Sequence, residues 1–219
     1  VATAGSTNLG IIDDLDGCGR VAERRDIWFH VDGAYGLAAL CAPSARPMFN
    51  GIERADSLIV DPHKWLFAPY DACALIYRNP ELGKAAHTQH ASYLDTLEDE
   101  NEFNPSDYAI HLTRRPRGLP FWYSLAANGS NEYSKSVEET INTAQAAVRL
   151  IKEHPHLELL LEPQLSIVAF TRIGWTAEQY QQWSDRLLAD GVGFVVPTSW
   201  NGETVLRLCV VNPRTTIDD

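Results

Sequence analysis

The sequence predicts an α/β protein, a mainly parallel sheet with helices, followed by a smaller α+β unit. Three observations carry this expectation. Within residues 1–78, short apolar and partly β-branched runs alternate with helical stretches, the rhythm of a parallel sheet. Two of those runs, "IWFHVD" and "SLIVD", end in an acid, and in open α/β sheets chemistry gathers at the carboxyl ends of strands. Beyond about residue 126 the order becomes strand, strand, helix, strand, strand, which is an α+β pattern.

The chain opens in strand-like sequence at Val1-Ala2-Thr3. "IIDDLDGCGRVAERRD" has acids early and arginines late, which complements a helix macrodipole. "IWFHVD" (27–32) reads as a buried parallel strand, "AYGLAALCA" as helix or loop, and "SLIVD" (57–61) and "ACALIYR" (72–78) as two more strands. Residues 87–107, "HTQHASYLDTLEDENEFNPSD", are acidic and lack apolar periodicity, the mark of a functional or disordered loop. From Gly118 helices dominate, "LPFWYSLAANG" and then Glu132 to His154. "LELLL", "SIVAFTR", the helix "TAEQYQQWSDRLLAD" and the strands "GFVVPTS" and "TVLRLCVV" complete the order. Two domains are expected, 1–125 and 126–219. The chain starts without methionine, and "NPRTTIDD" stops where Thr215 or Thr216 would cap a helix, so a fragment of a longer chain is expected.

With 219 residues, 45% hydrophobic and 21% charged, this is ordinary globular material. The net charge of −11 argues against a nucleic-acid or anionic-membrane surface. The densest basic group, Arg114, Arg115 and Arg117, is too small for a nucleic-acid stripe, and a structural or interface role is expected. Cys18, Cys41, Cys73 and Cys209 form no CxxC pair; buried thiols in a reducing cytoplasm are expected, without disulfides or zinc. His87 and His90 have a metal-like spacing but stand in the polar loop, where solvation is expected. Most of the six tryptophans should be core. No apolar run is long enough to span a bilayer as a helix.

Two charged residues stand out against this background. Lys64 lies between apolar runs in "SLIVDPHKWLFAPYDACALIYR" (57–78), where desolvating an ammonium is unfavourable. It is either a lysine snorkelling from a strand end or a Schiff-base nucleophile. A partly desolvated place beside another cation favours the neutral amine that such a nucleophile needs. His63 would be that neighbour, or a phosphate contact. Asp32 either caps the following helix, worth roughly 1 kcal/mol, or pairs with a protonated heterocyclic nitrogen. Pyridoxal phosphate needs such a carboxylate, because its protonated ring is the electron sink.

"HVDGAYG", "ADSLIVDPHKWLFAPYDACALIYR", "ASYLD" and, near the end, "LRLCVVNPRTT" resemble the group II pyridoxal-phosphate-dependent amino-acid decarboxylases, the aromatic-L-amino-acid, histidine and glutamate decarboxylase group. The resemblance runs through nearly the whole chain. It implies a fold-type-I enzyme: residues 1–125 as the carboxyl-terminal part of the cofactor-binding large domain, with a mobile catalytic loop at about 87–107, and 126–219 as a small, truncated domain. It implies that Lys64 forms the Schiff base with pyridoxal 5'-phosphate and that Asp32 pairs with the pyridine nitrogen. Ala34 would lie against the ring, and Thr7 close to cofactor and substrate. His63 would approach the phosphate and the Schiff base. Asp61, where several relatives carry asparagine, would be a further cofactor contact.

Tyr93, read alone, is an aromatic that tacks the loop to the surface. The resemblance makes it a catalytic phenol that helps protonate the substrate α-carbon after carbon dioxide leaves, and phenylalanine there would mark an aldehyde synthase. The implied reaction converts an L-amino acid, aromatic rather than acidic, to its amine in a cytoplasmic homodimer, with no nucleic-acid or membrane partner. The alternatives are an aldehyde synthase or other carbon-carbon lyase, and a non-catalytic interaction fragment. In relatives an upstream half supplies the phosphate-cradling turn and a ring-stacking histidine. The isolated chain is therefore expected to bind cofactor poorly and to be inactive.

Overall fold

The computed structural model describes residues 1–89 and 103–219. Its first sheet runs β1 (Ala2–Thr3), β2 (His30–Asp32), β3 (Ser57–Val60) and β4 (Ala74–Tyr77), in that spatial order. The first three strands are parallel, with Thr3 opposite Asp32 and Asp32 opposite Ile59, and β4 pairs antiparallel with β3. Parallel neighbours need crossovers, and α1 (Leu15–Arg25) lies on the first of them. Asp14 caps it, accepting the Gly17 N–H at 2.9 Å, while Arg24 and Arg25 fill its last turn. Both ends therefore complement the helix dipole. The second crossover is a chain of 3-10 turns, Gly36–Cys41, Arg46–Phe49 and Ile52–Arg54. "AYGLAALCA" is thus a tight helical turn and not an α-helix.

The backbone packs tightest where the loop after β1 meets the turn after β2. A Cβ on Gly36 would stand 2.1 Å from the Ala4 carbonyl oxygen, and one on Gly5 would stand 2.7 Å from Gly36 Cα. Gly5 also has φ +103°, a conformation that side chains rarely adopt. Two glycines thus press the carboxyl ends of β1 and β2 together at the edge where Asp32 emerges.

After β4 come α2 (Pro80–His87) and the 36-residue α3 (Gly118–Glu153). The latter is interrupted at Gly129, with φ 79° and ψ 160°. A Cβ there would meet nothing within 4 Å, so glycine serves the conformation and not the space. Ahead of α3, Arg115 and Arg117 pair with Asp71, and Arg117 holds that carboxyl below the usual carboxylate range. These arginines thus have the structural role the sequence suggested.

The second sheet is antiparallel, in the order β5 (Leu157–Leu159), β6 (Ile167–Arg172), β8 (Glu203–Cys209) and β7 (Thr198–Trp200), with α4 (Ala177–Ala189) between β6 and β7 in the chain. Thr176 and Gln179 form a reciprocal capping box at the start of α4. Two hydrophobic clusters share α3. Val137 and Ile141 join the first, with Val31, Phe49, Trp65, Leu165 and Ile167; Ala144, Val148 and Ile151 join the second, with Val168, Phe170, Tyr180, Leu206 and Val210. Alternation along β8 sorts its side chains in the same way. Leu206, Leu208 and Val210 face the second cluster, while Val211, on the opposite parity with Arg207 and Cys209, packs on the first.

Several sequence expectations need correction. "GFVVPTS" contributes only Thr198–Trp200 to a strand; Val192, Phe194 and Val196 are exposed, while Val195 packs on the second cluster. "IWFHVD" pairs only from His30, and Ile27 and Trp28 lie outside the ladder, exposed. Of the tryptophans, Trp65 is fully buried while Trp28, Trp122 and Trp200 are exposed. The cysteines correct another expectation: Cys18, Cys73 and Cys209 are exposed and Cys41 is half-buried, so they are not core thiols. Among the described residues no helix is long and apolar enough to cross a membrane.

Candidate active site

The parallel register brings the candidate residues to one edge. Asp32 ends β2, and Asp61 to Lys64 form the turn that follows β3, the adjacent strand. Backbone hydrogen bonds tie these ends together: Ala4 N–H to Asp32 O at 2.7 Å, Gly33 N–H to Ile59 O at 3.2 Å, and Asp61 N–H to Ala34 O at 3.0 Å. The loops carrying Asp32, Ala34 and Lys64 are therefore one hydrogen-bonded unit. Thr7 is exposed in the loop that returns from β1, and that loop is held by Gly5 N–H and Ser6 N–H donating to Ile11 O.

Asp32 folds back on its own turn, Oδ1 accepting the Ala34 N–H at 3.1 Å. Among the described residues Oδ2 takes no hydrogen bond, so the exposed carboxylate keeps an acceptor for a ligand. Lys64 N–H donates to Asp61 O at 2.9 Å, and this turn sets the two side chains together, Lys64 Nζ lying 2.9 Å from Asp61 Oδ2. The expectation of a desolvated amine beside a cation is thereby corrected. The Lys64 side chain is 43% exposed and its charged neighbour is an anion, because an i,i+3 turn aligns lysine and aspartate. Asp61, 14% exposed, also acts on the Cys73 thiol through its charge. Burial first, and then that carboxylate, push the thiol up to about 11.

His63 points the other way along the turn. Its Nδ1–H donates to the Ala72 carbonyl at 2.5 Å, and its ring meets Tyr70 edge-on at 4.9 Å. Nδ1 also faces the Ala72 N–H at 3.1 Å, so both polar groups of Ala72 hold this edge of the ring. Tyr93 and His90 lie outside the described residues.

A cleft of about 540 Å³ opens beside Lys64. Phe67 and Ala68, the Ser124–Ser136 stretch of α3 that spans the Gly129 break, and Val211 to Arg214 line it. Sequence reasoning missed one residue near this place. Among the described residues, Arg207 Nε is the buried side-chain polar atom left without a hydrogen-bond partner, a state that costs about 1–3 kcal/mol. It lies on β8, the strand that leads to the cleft-lining Val211. A charge at mid-strand in "TVLRLCVV" was the available signal.

The donor set suits pyridoxal phosphate by its chemistry: a primary amine, a carboxylate with a spare oxygen on the adjacent strand end, and the small Ala34 between them. Lys64, Asp32 and Ala34 are the residues that would hold it. Among the described residues no group of histidine, cysteine and acidic side chains could hold a metal ion.

Comparison with known proteins shows the family and the fold. Residues 1–173 match the model of the pyridoxal-dependent decarboxylase conserved domain. An aromatic-L-amino-acid decarboxylase of Bacillus atrophaeus is 31% identical over 228 residues, covering all of this chain and 48% of the relative. An acidic amino acid decarboxylase of Xenopus tropicalis is 37% identical over 177 residues, covering 77% of this chain and 34% of the relative. The crystal structure of Catharanthus roseus tryptophan decarboxylase in complex with L-tryptophan superposes with a TM-score of 0.85 at 27% identity, covering 99% of this chain and 47% of that one. The chain thus spans less than half the length of each of these relatives.

Proposed function

Because this chain belongs to the pyridoxal-dependent decarboxylase family, we propose that its full-length protein removes carbon dioxide from an L-amino acid, with Lys64 as the amine that holds the cofactor. The observation that carries this reading is the joining of Asp32 and Lys64 at the ends of adjacent parallel strands, bridged by the Asp61 N–H to Ala34 O bond. When bound, the cofactor supplies a protonated pyridine ring that accepts the electron pair released as the carboxylate leaves.

The chain's own residues do the rest. Asp32 Oδ2 would accept the ring N–H and keep that nitrogen charged. Ala34 would leave room for the ring, and the Thr7 hydroxyl would serve ring and substrate. Asp61 holds the Lys64 side chain against the turn and is a further contact on the cofactor side. His63 would contact the phosphate and the reacting nitrogen. Arg207, with a buried unpaired Nε, takes a carboxylate oxygen of the substrate. Tyr93 delivers the proton to the α-carbon once carbon dioxide has left. An aromatic side chain is the preferred substrate, and the working unit is a cytoplasmic homodimer.

The test uses the full-length protein saturated with pyridoxal phosphate, reduced with borohydride and mapped by mass spectrometry. A pyridoxyl group on Lys64 is expected; an unmodified Lys64 in a folded, saturated sample overturns the reading. An amino-acid panel then scores carbon dioxide and amine against peroxide and ammonia. Carbon dioxide with amine supports decarboxylation, whereas peroxide with ammonia assigns the scaffold to aldehyde synthesis.

A further inference from the structure

Each of the two residues that would flank the cofactor is followed in the chain by a buried aromatic. Ala34 precedes Tyr35, 8% exposed, and Lys64 precedes Trp65, which is 0% exposed. The two rings stack face to face, 4.9 Å between centroids and 11° between planes. Stacking of this kind contributes about 0.5–1.5 kcal/mol beyond the area buried. It joins the loops after β2 and β3 directly behind the candidate site.

Each ring also carries a polar tip, and each tip is bonded to a distant part of the chain. Trp65 Nε1–H donates to Thr140 Oγ1 on α3 at 2.8 Å, and that hydroxyl donates to Val137 O at 2.7 Å. The Tyr35 hydroxyl lies 2.6 Å from Ser166 Oγ and accepts the Ser166 N–H at 3.2 Å, just ahead of β6. Ser166 O in turn accepts the Val210 N–H at 3.0 Å, after β8. A core that needed only volume at these positions would be served by phenylalanine and leucine. Here both rings spend their polar atoms on fixed partners 75 and 131 residues away.

We propose that Tyr35 and Trp65 are positioning residues, a stacked and doubly tethered pair that sets the direction of the Lys64 amine and the height of Ala34, and through which α3 and the second sheet hold the site. This rests on the reading of Lys64 and Ala34 given above. Neither ring touches the reacting atoms; both act through the residue that precedes them. Loosening a tether should tilt the amine while leaving the binding groups in place, and small misplacements of a reacting group cost rate steeply.

The test uses the full-length protein saturated with pyridoxal phosphate, comparing Trp65→Phe, Thr140→Val and the double variant. Each single variant is expected to lower kcat about tenfold with KM within about twofold. Each should also halve the visible circular dichroism per bound cofactor, a signal of how rigidly the ring is held. The double variant should be no worse than either single one, since both remove the same bond. Tyr35→Phe, which keeps the stack and loses the Ser166 contact, carries the same expectation should Trp65→Phe fail to fold. Variants that melt earlier but keep wild-type kcat and wild-type ellipticity would overturn the inference. A wild-type protein with no visible cofactor band would sink the functional reading and this inference together, whereas an intact band with unmoved variants sinks this one alone.

Discussion

The two sheets bring residues to the site in different ways. The first is parallel, so the carboxyl ends of β1, β2 and β3 all emerge on one side, and Asp32 and the Asp61–Lys64 turn need only follow their strands to meet. The second is antiparallel, so its strand ends alternate sides, and its contribution comes from a face: Arg207 and Val211 on one parity of β8. On the proposed reading, the residues that do chemistry follow the strands of the parallel sheet, and the one that would grip the substrate sits in mid-strand of the antiparallel one.

Removing the strand-end amine should have the largest effect. Lys64→Ala in the full-length protein is expected to lower kcat by on the order of 10³-fold or more and to abolish borohydride-trapped label. Label persisting at another lysine would break the comparison. The face residue should matter less and differently. Arg207→Met is expected to lower kcat/KM by about 100-fold, the range for removing one partner of a buried charged contact. It should raise the urea midpoint, because a buried unpaired Nε is removed. An Arg207→Met protein that is less stable with unchanged kcat/KM would make the residue structural.

Cys73 sharpens the strand-end side. Its thiol, pushed up to about 11 from 9.0, should react slowly with iodoacetamide at pH 8 and speed up about tenfold per pH unit, because the thiolate is the nucleophile. A rate that levels off below pH 9 would contradict the burial and the Asp61 contact. Native protein holds this proton more tightly than the unfolded chain does. Between pH 9 and 11 the Cys73 contribution therefore falls as pH rises. The smallest effect belongs to the second unit away from the site. Thr176→Ala removes one half of the α4 capping box and should cost about 1 kcal/mol by urea denaturation, with kcat unmoved.

The same difference explains what was legible. Strand ends announce themselves, since an acid or a lysine bounding an apolar run is visible without any partner, and Asp32 and Lys64 were found that way. The strand-strand-helix-strand-strand order of the second unit was equally plain, and the comparisons agree on the fold. Arg207 was not legible, because in "TVLRLCVV" a charge at alternate spacing reads as the wet side of a sheet. Tertiary packing buries its Nε, and sequence patterning does not record tertiary cover. The Lys64–Asp61 pair was missed for a local reason: the turn, which the pattern does not encode, decides that the nearest charge is negative.

The break at Gly129 divides α3 into arms of unequal fate. The ladder of amide bonds cannot run through a residue at ψ 160°, so cooperativity stops there. The arm before it, residues 118–128, falls short of the roughly 12–15 residues an isolated helix needs, and Leu119, Trp122 and Tyr123 on it are exposed. The arm after it is threaded through both cores by Val137, Ile141, Ala144, Val148 and Ile151. In deuterated water the short arm should fray and exchange early while the long arm holds its protons to global unfolding. One interrupted helix thus carries two clocks, with the cleft beside Lys64 at the junction between them.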